Sequence, residues 1–222
     1  MLSQINLINL SKDILDLLLP NQCILCNGFT DHSVCQECLD KVQVSPKHIS
    51  KSFLPKNVFS FFRYENEIKY LLGLLKFDKH RKIGELLSNK LVSILDLKLF
   101  QETDLWVPVP IHKKRYKKRG YNQVDVLFQK FISKVPGEYS KIIKRVKNTP
   151  PLFSKGLEDR QKILNTAFMI DPSMQLQLKD KKIVILDDIL TSGSTVLEIS
   201  ALLTKYQVKE ISIITFAYAD IS

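Results

Sequence analysis

Seven polar or glycine positions crowd into the nine residues Asp187-Asp188-Ile-Leu-Thr191-Ser192-Gly193-Ser194-Thr195. They follow the apolar run Ile183 to Leu186 and precede an amphipathic stretch that starts at Ser194. A strand ending in two carboxylates, a hydroxyl-rich turn and a helix start together make an anion site. Successive backbone N–H groups and the helix N-terminus face a phosphate, Gly193 lets the backbone approach, and the hydroxyls of Thr191, Ser192, Ser194 and Thr195 add donors. Asp187 and Asp188 stand where ligands bind in open α/β sheets and can grip sugar hydroxyls or a Mg²⁺ ion. Helix capping alone needs one such residue, not seven.

A second group is Cys23-Ile-Leu-Cys26, followed after eight residues by Cys35-Gln-Glu-Cys38. Paired CxxC knuckles bring four thiolates to one tetrahedral ion, and redox-inert Zn²⁺ suits them. Such a closed site is structural, because it leaves no coordination position open. A redox dithiol or a disulfide pair is the rival reading. The third group is Lys113, Lys114, Arg115, Tyr116, Lys117, Lys118 and Arg119, which after His112 puts six cations and one aromatic into eight residues. Read as a loop, it fits single-stranded nucleic acid, with Tyr116 stacking on a base. It equally fits a pyrophosphate group, or a merely solvated surface. His112 beside it is a candidate hydrogen-bond donor.

These residues need elements to position them. Apolar periodicity predicts strands at 58–64, 105–109, 141–147, 167–170, 182–186 and 210–218, and helices at 67–77, 83–97, 121–134, 158–164 and 194–206. The alternation implies an α/β fold with a central, mostly parallel sheet. Residues 1–20 read as an amphipathic helix stopped by Pro20. Residues 44–57, with two prolines and little periodicity, read as a linker. The expected organisation is a four-cysteine module over 1–50 and a Rossmann-like domain over 58–222.

Composition narrows the class. The chain has 222 residues, 45% hydrophobic and 25% charged, the balance of a globular protein and not of a disordered one. Its net charge of +10 favours polyanionic partners. No apolar run is long enough to span a membrane, so no membrane insertion is expected. With no export signal and clustered thiols, a cytoplasmic, reducing location is expected.

Asp187 to Thr195 resembles the phosphoribosyl-pyrophosphate (PRPP) loop of type I phosphoribosyltransferases. The resemblance extends over nearly the whole chain. Leu19-Pro20 with the CxxC pairs, Val107-Pro-Val-Pro-Ile-His112, Arg119-Gly-Tyr-Asn-Gln123 and Thr149-Pro-Pro151 are similar, in order and spacing, to the ComF family of competence-associated, phosphoribosyltransferase-like proteins. Leu152, Ile163 and Ser192 depart from that pattern. The resemblance implies that Asp187 and Asp188 hold the ribose hydroxyls and that residues 191–195 cradle the 5′-phosphate of Mg²⁺-PRPP. It also implies a role with incoming single-stranded DNA in natural transformation, alongside other competence or recombination proteins. An active phosphoribosyltransferase of nucleobase or nucleotide salvage is the alternative. Thr191 stands where 6-oxopurine phosphoribosyltransferases carry an aspartate base, so whether catalysis occurs, and on which acceptor, stays open.

Overall fold

The structure, a computed structural model, describes residues 21–77, 80–148 and 167–219. The helices expected at 1–20 and 158–164, and the Thr149-Pro-Pro151 motif with Leu152 and Ile163, lie outside the described residues. The chain divides into two compact units, 1–43 and 44–222.

The described part of the first unit holds one helix, α1 (Gln36–Lys41), and an isolated antiparallel bridge between Gln22 and Phe29. The bridge closes the first knuckle: Cys23 N–H donates to Gly28 O at 2.8 Å, and Asn27 takes the left-handed conformation at φ 60°. In 21–43 only Cys23, Val34 and Val42 are buried, so apolar burial there is slight.

The second unit is a layered α/β structure. In chain order its elements are β1 (Lys47–His48), β2 (Asn57–Arg63), α2 (Asn66–Phe77), α3 (Arg81–Ile94), β3 (Leu105–Pro108), α4 (Lys113–Arg119) and α5 (Gln123–Ile132). Then come β4 (Glu138–Tyr139), β5 (Ile143–Arg145), β6 (Phe168–Ile170), β7 (Lys182–Leu190), α6 (Ser194–Thr204) and β8 (Glu210–Tyr218). Six strands form one sheet in the order β1-β2-β8-β7-β3-β4, and β5 and β6 form a separate antiparallel pair. Apart from β1, every pairing in the large sheet is parallel.

The run Ile183-Val184-Ile185-Leu186 is apolar without alternation because both faces of β7 are covered. On one face, Val107, Ile183, Ile185 and Ile213 pack with Val196, Ile199 and Leu203 of α6 and with Ile143, Phe168 and Ile170 of the small sheet. On the other, Trp106 meets Phe131 of α5 edge-on at 5.1 Å. Helices after β3 and β7 thus leave toward opposite faces, which opens a crevice beyond the carboxyl ends of these two neighbouring strands.

Three expectations change. The stretch 44–57 is not a free linker: β1 pairs with β2, and Ile49 and Leu54 are buried in the core of the second unit. Its apolar residues are too few and too irregular to show a period, yet they anchor it. Residues 113–119 form a helix and not a loop. The strand expected to stop at 186 runs on to Leu190, so Asp187 and Asp188 lie within it; Asp187 sits opposite Thr215, and Leu190 opposite Tyr218.

Candidate functional site

The four thiols converge. The Sγ atoms of Cys23, Cys26, Cys35 and Cys38 all lie within 4.8 Å of one another, and Cys26 Sγ is 3.8 Å from Cys35 Sγ. Four sulfurs at Zn–S bonds of about 2.3 Å in a tetrahedron are separated by about 3.8 Å, so this donor set fits a metal ion. All four cysteines are free thiols. Backbone N–H groups already point at sulfur: Cys35 N donates to Cys23 Sγ at 3.3 Å and Cys38 N to Cys35 Sγ at 3.5 Å. Burial acts to raise the Cys23 thiol, but the N–H groups of Cys35, Leu25 and Cys26 outweigh it and bring it down to about 6. Hydrogen bonding with Cys35, then burial, pushes Cys38 up to about 12.

In the second unit a cleft of about 440 Å³ opens at the crevice between β3 and β7, and all of residues 187–195 line it. Gly193, at φ 77°, starts α6 with no side chain capping the helix. The Ser194 N–H donates to Ser192 Oγ at 3.4 Å and Gly193 offers no cap to the N–H groups that follow, so a helix start lines the cleft, an arrangement that suits phosphate. Ser192 Oγ and Ser194 Oγ lie 2.8 Å apart. A Cβ at Gly193 would come within 2.9 Å of Leu54 Cδ2, so the supposed linker packs directly beneath the phosphate-type turn.

Asp187 and Asp188 are 8% and 6% exposed. Burial, then the neighbouring Asp188 charge, pushes the Asp187 carboxyl far above the ordinary carboxylate range, although the Asp188 N–H donates to Asp187 Oδ1 at 2.8 Å. A raised folded-state pKa means that the folded protein binds a proton which the unfolded chain releases above about pH 4. Stability should therefore fall as pH rises from there through the raised pKa of Asp187. Asp187→Asn, which keeps the acceptor oxygen, is expected to flatten this loss. Thermal melts from pH 5 to 9 in magnesium-free buffer should show the variant's advantage growing with pH; a constant offset would contradict the assignment.

The basic run is split by its helix. His112 caps α4, its Nδ1 accepting from Lys114 N at 3.2 Å, and Gly120 at φ 88° ends it. The nitrogen facing that N–H is thus an acceptor, which leaves Nε2 as the ring's donor, and burial followed by the Lys113 charge lowers this imidazole's pKa. Arg115, Lys118 and Arg119, spaced i, i+3, i+4, line the cleft. Lys113, Lys114, Tyr116 and Lys117 do not line it, and the ring of Tyr116 is half-exposed.

Sequence pattern does not place Lys76 at the end of α2, Arg145 at the end of β5 or Gln123 at the start of α5 in this site. All three line the cleft, which carries five cations against two carboxylates. Burial, then the Arg115 charge, brings Arg145 down to about 10, and burial lowers Arg115 and Arg119. Positive groups held this close with incomplete hydration favour an anion between them. The segment Arg119–Gln123 shows how each residue serves the cleft. Arg119 donates to Gln123 Oε1, and Tyr121 Oη donates to Leu75 O at 2.6 Å. Asn122 caps α5 and donates to Val109 O at 3.0 Å, and Gln123 Nε2 donates to Asp188 Oδ2 at 2.7 Å. Among the described residues no helix is long and apolar enough to cross a membrane.

The phosphoribosyl transferase domain family matches residues 117–221. Competence protein F of Haemophilus influenzae is 28% identical over 203 residues, 85% of this chain and 88% of its own. DNA utilization protein YhgH of Escherichia coli O157:H7 is 30% identical over 197 residues, 82% of this chain and 84% of its own. Its counterpart of the same name in Salmonella typhimurium is 29% identical over 177 residues, 77% and 71% of the two chains.

Proposed function

The chain belongs to the ComF family of competence-associated, phosphoribosyltransferase-like proteins, and from that premise we propose that it binds Mg²⁺-PRPP and assists the handling of incoming single-stranded DNA in natural transformation. Its fold is the type I phosphoribosyltransferase fold, an α/β domain on a mostly parallel sheet. The observation that carries the PRPP reading is the convergence, in one cleft, of an acid pair, a hydroxyl-rich turn at a helix start and five cations from three separate elements. Asp187 and Asp188 take the ribose hydroxyls and the Mg²⁺, residues 191–195 take the 5′-phosphate, and Arg115, Lys118 and Arg119 face the pyrophosphate. Bound Mg²⁺ supplies charge neutralisation of the diphosphate. Cys23, Cys26, Cys35 and Cys38 hold one structural Zn²⁺, in a reducing cytoplasm that keeps the thiols free. The four-cysteine module and the phosphoribosyltransferase-like domain, which takes in the segment 44–57, are the two working parts of this reading.

Helix α4 supports a division of labour. Its inner cations face the cleft, while Lys113, Lys114 and Lys117 with the half-exposed ring of Tyr116 are left for a polyanion outside it. Alanine at Lys113, Lys114 and Lys117 should weaken single-stranded DNA binding and flatten its log-log salt slope by about 0.7 for each phosphate no longer neutralised. Tyr116→Ala should weaken binding at every salt concentration, because stacking on a base, about 1–3 kcal/mol, is little screened. Both should leave PRPP affinity unchanged by calorimetry. Alanine at Arg115, Lys118 and Arg119 should do the opposite. An outward-face variant that keeps its DNA affinity in an anisotropy titration would end the assignment of DNA to this helix.

A further inference from the structure

The carboxylate that the PRPP reading gives to ribose and metal already has a cation of the chain's own. Lys76 Nζ lies 2.8 Å from Asp188 Oδ2, with the two side chains 20% and 9% exposed. The same oxygen accepts from Gln123 Nε2 at 2.7 Å. Lys76 stands in the last turn of α2, and the backbone just before it is fixed by the hydrogen bond from Tyr121 Oη to Leu75 O, so the ammonium is aimed at Asp188 by packing. Beyond that anchor the side chain is a flexible stem carrying a compact charge, and it opens onto the cleft. With Lys76 and Gln123 both on it, Asp188 Oδ2 has its two lone pairs taken, and a divalent cation brought to that oxygen meets the repulsion of the ammonium.

We infer that Lys76 is a hand-over residue: in the empty cleft it occupies Asp188 in place of the metal, and it moves to the diphosphate oxygens when Mg²⁺ arrives with a pyrophosphorylated sugar. This deepens the PRPP reading and rests on it. The consequence is specificity. Free metal must displace an ammonium that then has no partner. A sugar monophosphate does not reach it either. Only a ligand with a diphosphate gives the displaced charge a new place, so the site discriminates for the diphosphate and against its separate parts. Lys76 acts here as a positioning and selecting group, not as a base.

Lys76→Met keeps the length of the side chain and removes the charge; Lys76→Arg keeps the charge. Calorimetry on the full-length protein with Mn²⁺ alone, Mg²⁺-ribose 5-phosphate and Mg²⁺-PRPP separates the possibilities. The methionine variant should bind Mn²⁺ about tenfold or more tightly than wild type and Mg²⁺-PRPP about tenfold or more weakly, the scale of removing one charged hydrogen bond. Its preference for PRPP over ribose 5-phosphate should collapse, while the arginine variant should reject Mn²⁺ as wild type does. A purely structural role would move the metal and PRPP affinities in the same direction or not at all, and that result overturns the inference. Wild type failing to bind PRPP would overturn the underlying reading instead; the Mn²⁺ arm would still report whether Lys76 guards Asp188.

Discussion

Asp187→Asn/Asp188→Asn abolishes Mg²⁺-dependent PRPP binding and leaves the protein folded: this is the expected result of the largest single change in the cleft. The substitution keeps the shape of both side chains and removes the negative charge that the acid pair can present to a metal ion. Each carboxylate removed as an acceptor for sugar hydroxyls or metal costs about 1.5–3 kcal/mol, so the pair together weakens binding by at least about 100-fold. The fold survives because Asp187 is held in the folded state against its own burial, so neutralising it relieves the sheet. The cost falls on Lys76, which loses its ion pair but keeps access to solvent. Equal PRPP affinity of variant and wild type in calorimetry would reject the site. The single substitution Gly193→Val is less informative: a Cβ there meets Leu54 and sits at φ 77°, so impaired binding would mix blocked phosphate approach with a disturbed core.

Stripping the metal from the four-cysteine cluster is the second change with a large expected effect. Freshly reduced protein should contain one zinc per chain, and Cys26→Ser or a strong chelator should release it and make residues 21–43 sensitive to protease. With three buried residues, that segment cannot fold on apolar burial, and the ion must supply the stability. Structural zinc sites of this kind contribute on the order of 10 kcal/mol or more. The second unit, with its own sheet and core, should keep its resistance. Metal analysis finding no zinc, or chelation leaving 21–43 intact, would refute the assignment.

Much of this architecture is written in local pattern. Glu210–Tyr218 is a strand with the limits that its apolar run predicts, and the CxxC pairs meet as their spacing requires. What the pattern misses has physical causes. Helix α4 has no apolar stripe to give it a period; it exists because His112 caps one end and Gly120 turns out of the other. Asp187 and Asp188 look like the end of a strand because charge normally stops one, but β8 continues alongside and carries the pairing to Leu190. Lys76 and Arg145 belong to no motif, and only the crossing of chain segments far apart in sequence brings them to Asp188 and Asp187. The five residues Arg119–Gln123 are visible as a motif by resemblance, yet the task of each depends on partners as distant as Leu75 and Asp188.

The parallel pairing of β2 with β8 sets an order of events in time. Val58 lies opposite Ile213, so the first long strand gains its parallel neighbour only when the last described strand has been synthesised. Closing so long a loop is entropically slow, and pairings of that separation form late. The four thiols, by contrast, span 16 residues and can gather round an ion as soon as they leave the ribosome. On a growing chain the cysteine module matures early, while β2 and the segment carrying Leu54 wait for their parallel neighbour until synthesis has passed β8. The phosphate-type turn that rests on Leu54 is therefore among the last parts to be completed, and a chain truncated before β8 should carry a finished cysteine module and no binding cleft.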